Sequence, residues 1–192
     1  MLFSGLELTL SPGDVLTVLG ENGSGKSSLL RMLCGLLPPD HGTVLWAGQD
    51  IQCVREGYTA RLLYVGHFNG LKDDLTPREN LRFLAEMGGD ACSRAAIDAS
   101  LAAVGLDRAV QDLPTKALSH GQKRRTALAR LWLSTRPIWI LDEPFAALDE
   151  AGICLLTTQL RRHGEQGGIV VMATHQGLGP DAGIARRLRL GV

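Results

Sequence analysis

Apolar residues in this chain follow two rhythms. Short solid runs, Val15 to Leu19, Leu62 to Gly66, Ile138 to Leu141 and Ile169 to Ala173, have the length and lack of alternation of strands buried on both faces. Leu6, Leu8 and Leu10 alternate instead with Glu7 and Thr9, predicting a half-buried strand closed by the Ser11-Pro12-Gly13 turn. Thr43 to Trp46 reads as a further strand, followed by a turn at Ala47-Gly48. Helical spacing fills the intervals. Ser28 to Leu36 is one such stretch, and Thr76-Pro77-Arg78-Glu79 is a capping box with Pro at the first helical position, continuing to Met87. Ser93 to Val104 predicts an Ala-rich helix ended by Gly105. Ser119 and Gln122 form a second capping box, opening a helix through Lys123 to Leu133 that stops before Arg136-Pro137, and Glu150 to Arg162 is another helix. Buried strands alternating with helices imply an α/β fold, a parallel sheet covered on both faces. From Leu71 to Ala117 the pattern is helical only, so a single domain is expected, with a core of about 1–70 and 118–192 and a helical subdomain of about 71–117.

Composition narrows the setting. With 192 residues, 45% of them hydrophobic, the chain can bury a sizeable core. Twenty basic and twenty acidic residues cancel, which gives no electrostatic footprint for a nucleic-acid partner. No apolar run approaches the ~20 residues of a membrane span, and Met1 is not followed by a leader-like basic and apolar stretch. Membrane association is therefore expected only through a partner. Cys34, Cys53, Cys92 and Cys154 form no CxxC pair, so they read as buried, reduced thiols of a cytosolic protein.

The chemistry concentrates in Gly20 to Ser27, GENGSGKS, a phosphate-binding loop set between a buried strand and a helix. Gly20, Gly23 and Gly25 allow the backbone to turn its N–H groups inward, with Glu21, Asn22, Ser24 and Ser28 completing the cradle. The helix that follows adds the positive end of its dipole. Lys26 would reach the β and γ phosphates, and Ser27 would hold Mg²⁺. The strand Ile138 to Leu141 ends in Asp142 and Glu143, at the carboxyl edge where ligands of open α/β sheets bind. Asp142 suits a Mg²⁺ contact and Glu143 suits proton acceptance from an attacking water. Leu118-Ser119-His120-Gly121-Gln122 opens a helix with exposed N–H groups, a second anion site or an ordinary cap. His175 follows a buried strand and is either a core or capping histidine or a contact to the nucleotide end.

These motifs in this order resemble the ABC-transporter ATPase family over nearly the whole chain. GENGSGKS corresponds to Walker A, LSHGQ at 118–122 to the signature, ILDEP at 140–144 to Walker B with a catalytic glutamate, ALD at 147–149 to the D-loop and His175 to the switch histidine. Within the family, the details are similar to the ATPase subunits of the cytochrome c maturation, or haem exporter, branch. Tyr64-Val65-Gly66-His67, Leu75-Thr76 with Glu79-Asn80-Leu81, the run GQKRRTALARLWL at 121–133, LDEPFAALD at 141–149 and Ala173-Thr174-His175-Gln176 carry that likeness. The resemblance implies a P-loop NTPase fold with a RecA-like ABC ATPase core. It implies a homodimer that hydrolyses ATP with Mg²⁺, catalysed by Glu143 and His175, each ATP being held by one P-loop and, in trans, by Ser119, Gly121 and Gln122 of the other copy. An integral membrane permease subunit is the implied partner, contacted along His67 to Thr76, which would place this chain peripherally at the cytoplasmic face of the bacterial inner membrane. The alternatives are the ATPase of another small ABC exporter and a soluble non-transport ABC ATPase. Two departures stand out: the Q-loop position holds His67, a further candidate Mg²⁺ ligand, and the second signature position holds His120. The aromatic residue that the resemblance implies over the adenine falls ahead of Met1, so base stacking is left unassigned.

Overall fold

The computed structural model describes residues 3–89, 92–175 and 186–191. The chain divides into two compact units, Met1–Tyr64, Arg136–Pro144 and Leu160–Val192 in the first, Val65–Thr135 and Phe145–Gln159 in the second.

The first unit is built on five strands, β1 (Val15–Leu19), β4 (Leu62–Val65), β5 (Ile138–Asp142), β6 (Ile169–Thr174) and β7 (Arg186–Arg189), in the order β4-β5-β6-β1-β7. The hairpin of β2 (Leu45–Trp46) and β3 (Gln49–Asp50) stands apart as a two-stranded antiparallel sheet. β6 runs parallel to both β5 and β1, which is why β5 and β6 are buried at every position and read as solid apolar runs. Helix α1 (Lys26–Leu33) packs on the sheet through Leu29 and Leu30, beside Leu16, Val18, Ile140 and Val171. Each such side chain taken from water contributes about 1.5–3 kcal/mol. Helix α2 (Arg55–Thr59) adds Tyr58, whose hydroxyl donates to the Leu33 carbonyl at 2.6 Å.

The second unit is helical: α3 (Pro77–Met87), α4 (Arg94–Ala103), α5 (Arg108–Gln111), α6 (His120–Leu128), α7 (Arg130–Leu133) and the start of α8 (Glu150–Glu165). Leu81, Ile97, Leu101, Val104, Leu106 and Ala129 form its apolar cluster. Polar hubs stitch the rest. Asn80 is fully buried, accepting from the Lys72 N–H at 2.7 Å and donating to the Thr115 hydroxyl at 2.9 Å. Arg78 joins Asp98, Gln111 and Asp112.

Both capping boxes are present as predicted, at Thr76/Glu79 and Ser119/Gln122. Ala47 and Gly48 turn with φ of 50° and 80°, the left-handed pair of a tight hairpin. Three expectations fail. Leu6, Leu8 and Leu10 do alternate in burial and pack against the first core, but they form no strand, because no described neighbour supplies a ladder. The helix drawn to Leu133 breaks at Ala129 into α6 and α7. Of the four cysteines expected to be buried, Cys34 is, but Cys53 and Cys154 stand outside the two apolar cores and are exposed, and Cys92 is part-buried against the helical cluster. Strand β7, in a tail that lacked a clear pattern, is an element for which the sequence raised no expectation.

Candidate functional site

Strand register brings the site residues of the first unit to one edge. Leu19 of β1 lies level with Thr174 of β6, and Asp142 of β5 with Ala173, so Gly20, Glu143 and His175 leave the sheet together. At Gly20 a side chain would overlap Ser24 and come within 2.9 Å of the Leu190 carbonyl, so only glycine fits where the loop begins. Gly23 and Gly25 hold φ of 85° and 98°, as a loop that turns its amides inward requires. Gly25 is the N-cap of α1, with no side-chain cap bond and no acid in the first turn. The first amides of α1 are therefore open to an anion. Lys26 is buried, its Nζ donating to the carbonyls of Gly20 and Glu21 at 2.7 and 2.8 Å, so the ammonium sits over the loop. The Ser24 hydroxyl is buried with no protein partner among the described residues. An orphaned hydroxyl, open amides and an ammonium form the donor set that a phosphate chain requires.

Asp142 is buried at the end of β5. Its charge, together with burial, pushes the Cys34 thiol up to about 12, burial being the larger cause. Burial likewise raises the Tyr64 hydroxyl, with Asp142 and Cys34 adding and Arg31 opposing. Cys34 thus stays a neutral thiol beside the carboxylate. Ser27, in the first turn of α1, and Asp142, at the end of β5, carry oxygens of the kind Mg²⁺ takes, an ion usually held by one or two protein oxygens plus phosphates. Glu143 leaves the strand with a left-handed φ of 48°, unusual for a residue with a side chain, while its N–H still donates to the Ala173 carbonyl at 2.9 Å. This turn redirects its carboxylate, and Oε2 meets His175 Nδ1 at 2.9 Å. The general-base candidate and the histidine are thereby brought into direct contact, a pairing that sequence spacing alone does not give.

In the second unit, α6 begins with a reciprocal cap. The Ser119 hydroxyl accepts from the Gln122 N–H at 3.2 Å and the Gln122 side chain accepts from the Ser119 N–H at 2.9 Å. A Cβ on Gly121 would lie 2.9 Å from the Ala147 carbonyl, so this glycine lets α6 approach the 147–149 turn. One helical turn on, Arg125 pairs with Asp149 at 2.5 Å and donates to the Val104 carbonyl at 2.6 Å. The Asp149 carboxylate also accepts from the Gly152 N–H at 2.8 Å at the start of α8. Arg125, Arg124 and Asp149 were not singled out in the sequence as structural clamps; an ion pair formed by residues 24 apart leaves no periodic trace. His67 is exposed, its ring edge-on to Phe68 at 5.5 Å.

The ABC transporter family profile matches residues 3–146. The chain is 52% identical over 178 residues to the cytochrome c biogenesis ATP-binding export protein CcmA of Methylococcus capsulatus, covering 93% of this chain and 86% of that protein. With CcmA of Escherichia coli strain K12 it shares 47% over 190 residues, 98% of this chain and 89% of the relative. Among solved structures it resembles the ATP-binding cassette MJ0796, a dimer in a post-hydrolysis state bound to ADP and Pi, with a TM-score of 0.83 at 25% identity, covering 98% of this chain and 86% of that one. An ABC transporter ATP-binding protein from Pyrococcus furiosus shares the fold, with a TM-score of 0.82 at 23% identity over 95% of this chain and 87% of that one. The phosphate loop, the acid pair and the match along nearly all of the sequence lead to one conclusion: the chain belongs to the ABC transporter ATP-binding family, in the group of the cytochrome c biogenesis export ATPases.

Proposed function

We propose that this chain hydrolyses ATP as the energy-supplying subunit of a haem-export ABC complex of cytochrome c biogenesis. The observation that carries the reading is the Glu143–His175 hydrogen bond at the carboxyl edge beside the phosphate loop. ATP is held by residues Gly20 to Ser28, with the α1 amides and Lys26 on its phosphates. Ser27 and Asp142 would hold Mg²⁺, which when bound neutralises charge developing on the phosphates. His67 is exposed on a turn and is the weaker candidate for that ion. Glu143 accepts a proton from the attacking water, and His175 fixes the carboxylate oxygen that receives it.

Ser119, Gly121 and Gln122 act in trans, on the ATP of a second copy of the chain, as the head-to-tail dimer of the family requires. The membrane permease meets the chain along His67 to Thr76. Phe68 supports this, being 86% exposed where a free loop has no use for an aromatic ring, while Leu71 and Leu75 are part-buried. On this reading the permease holds the chain peripherally, at the cytoplasmic face of the inner membrane; no helix among the described residues is long and apolar enough to cross a membrane by itself.

Glu143→Gln tests the centre of this reading. Turnover is expected to fall by about 10² to 10⁴, roughly 3–5 kcal/mol of barrier, with ATP binding retained. Sedimentation of this variant should show a dimer only with Mg-ATP. Hydrolysis within about threefold of wild type, far from the usual cost of losing a general base, would transfer that role to another group.

A further inference from the structure

The signature helix carries two neighbouring arginines, of which Arg125 clamps the 147–149 turn. Arg124 points elsewhere, since consecutive residues of a helix are ~100° apart around its axis. It is 2% exposed, and one guanidinium nitrogen, Nη1, donates to the Gly66 carbonyl at 3.1 Å and to Asn69 Oδ1 at 3.2 Å. Those two acceptors bracket His67 and Phe68. The turn is thus held at both ends by the helix, while the two rings between face outward. A buried guanidinium is costly unless its donors are met, so it cannot let go of these acceptors cheaply. Two residues before it, Gln122 closes the cap with Ser119, and the Gln122 carbonyl accepts from the Thr126 hydroxyl at 2.8 Å. The arginine therefore grows from the same helical turn that would meet phosphate.

We propose that Arg124 is a positioning residue, a strut that ties the start of α6 to the Gly66–Asn69 turn so that engagement of phosphate at Ser119–Gln122 reaches His67 and Phe68. This rests on the in-trans ATP reading above, and names the part of the chain that would carry its signal. The strut lies wholly within the second unit. Its polar geometry suits transmission better than an apolar contact would, because hydrogen bonds fix direction as well as distance.

The test leaves Arg124 in place, since removing a buried guanidinium endangers the fold, and removes its acceptor instead. In the Glu143→Gln background, Mg-ATP should slow amide exchange about tenfold both at 119–123 and at 66–69, as local opening becomes rarer. Adding Asn69→Ala should keep the slowing at 119–123 and reduce it to under about twofold at 66–69. Asn69→Asp, which restores an acceptor to the guanidinium, should bring it back. A turn in which Asn69 served only local structure would not show this rescue. Full slowing at 66–69 in the Asn69→Ala chain, or none in Asn69→Asp, would overturn the strut. Absence of slowing at 119–123 in the parent variant would refute the shared ATP site, and the strut with it.

Discussion

Helices α1 and α6 both begin where phosphate is expected, yet they begin differently. α1 has a glycine N-cap at φ 98° and no side chain on its first amides, whereas α6 is closed by a reciprocal Ser119/Gln122 cap. An open start is a standing cost to the helix, offset here by burial of Leu29 and Leu30, and it makes a binding site without further change. A capped start is stable alone. With its oxygen accepting the Gln122 amide, Ser119 still has a hydroxyl hydrogen to donate. Under the proposed function the two ends have unequal work: α1 captures the nucleotide, and α6 reports its presence.

Substitutions should separate these roles. Lys26→Ala removes the ammonium lying over the loop and should weaken ATP binding about 100-fold, near 2.7 kcal/mol, in a titration of the isolated chain. Equal affinity in that variant would end the idea that the α1 end is the capturing site. Gly121→Ala comes next. Its methyl meets the Ala147 carbonyl, in a turn where Ala147 itself holds φ 61°, so α6 must retreat. The cost should be about 1–3 kcal/mol, seen as a Mg-ATP dimer weakened roughly tenfold or more with monomer binding intact. Loss of monomer binding would instead make α6 part of the capturing site. Ser119→Ala is the mildest, costing about 1 kcal/mol of stability as a lost cap, read from the thermal midpoint, and changing ATP affinity of the monomer less than twofold. A tenfold loss of that affinity would erase the distinction between the two starts.

Much of the α1 end was legible because its determinants are local. Glycine placement, a basic residue and an apolar strand lie within a dozen positions, and each acts through backbone geometry that the residue type dictates. Both capping boxes were legible for the same reason. The solid runs of β5 and β6 announced a sheet covered on both faces. What stayed hidden depends on distant partners. Arg186-Arg187-Leu188-Arg189 reads as a polar tail, and becomes β7 only because β1 offers an edge and Asp14 accepts from Arg186 at 2.7 Å. The Leu6–Leu10 alternation was real in burial but lacked a neighbouring ladder. The Glu143–His175 contact was hidden too, because it needs the left-handed turn at Glu143.

The position of β1 in the sheet bears on how the protein is made. Its ladder partners are β6 and β7, both near the far end of the chain. The strand that launches the phosphate loop emerges from the ribosome before them and must wait for partners about 150 residues later, roughly 8–30 s at ordinary synthesis rates. The second unit is complete sooner, and its main helix contacts, such as α3 with α4 and α4 with α7, span far less sequence than the β1 ladder, which favours early folding. A nascent chain therefore carries an unpaired apolar strand until those partners are made, a period in which chaperones would find it.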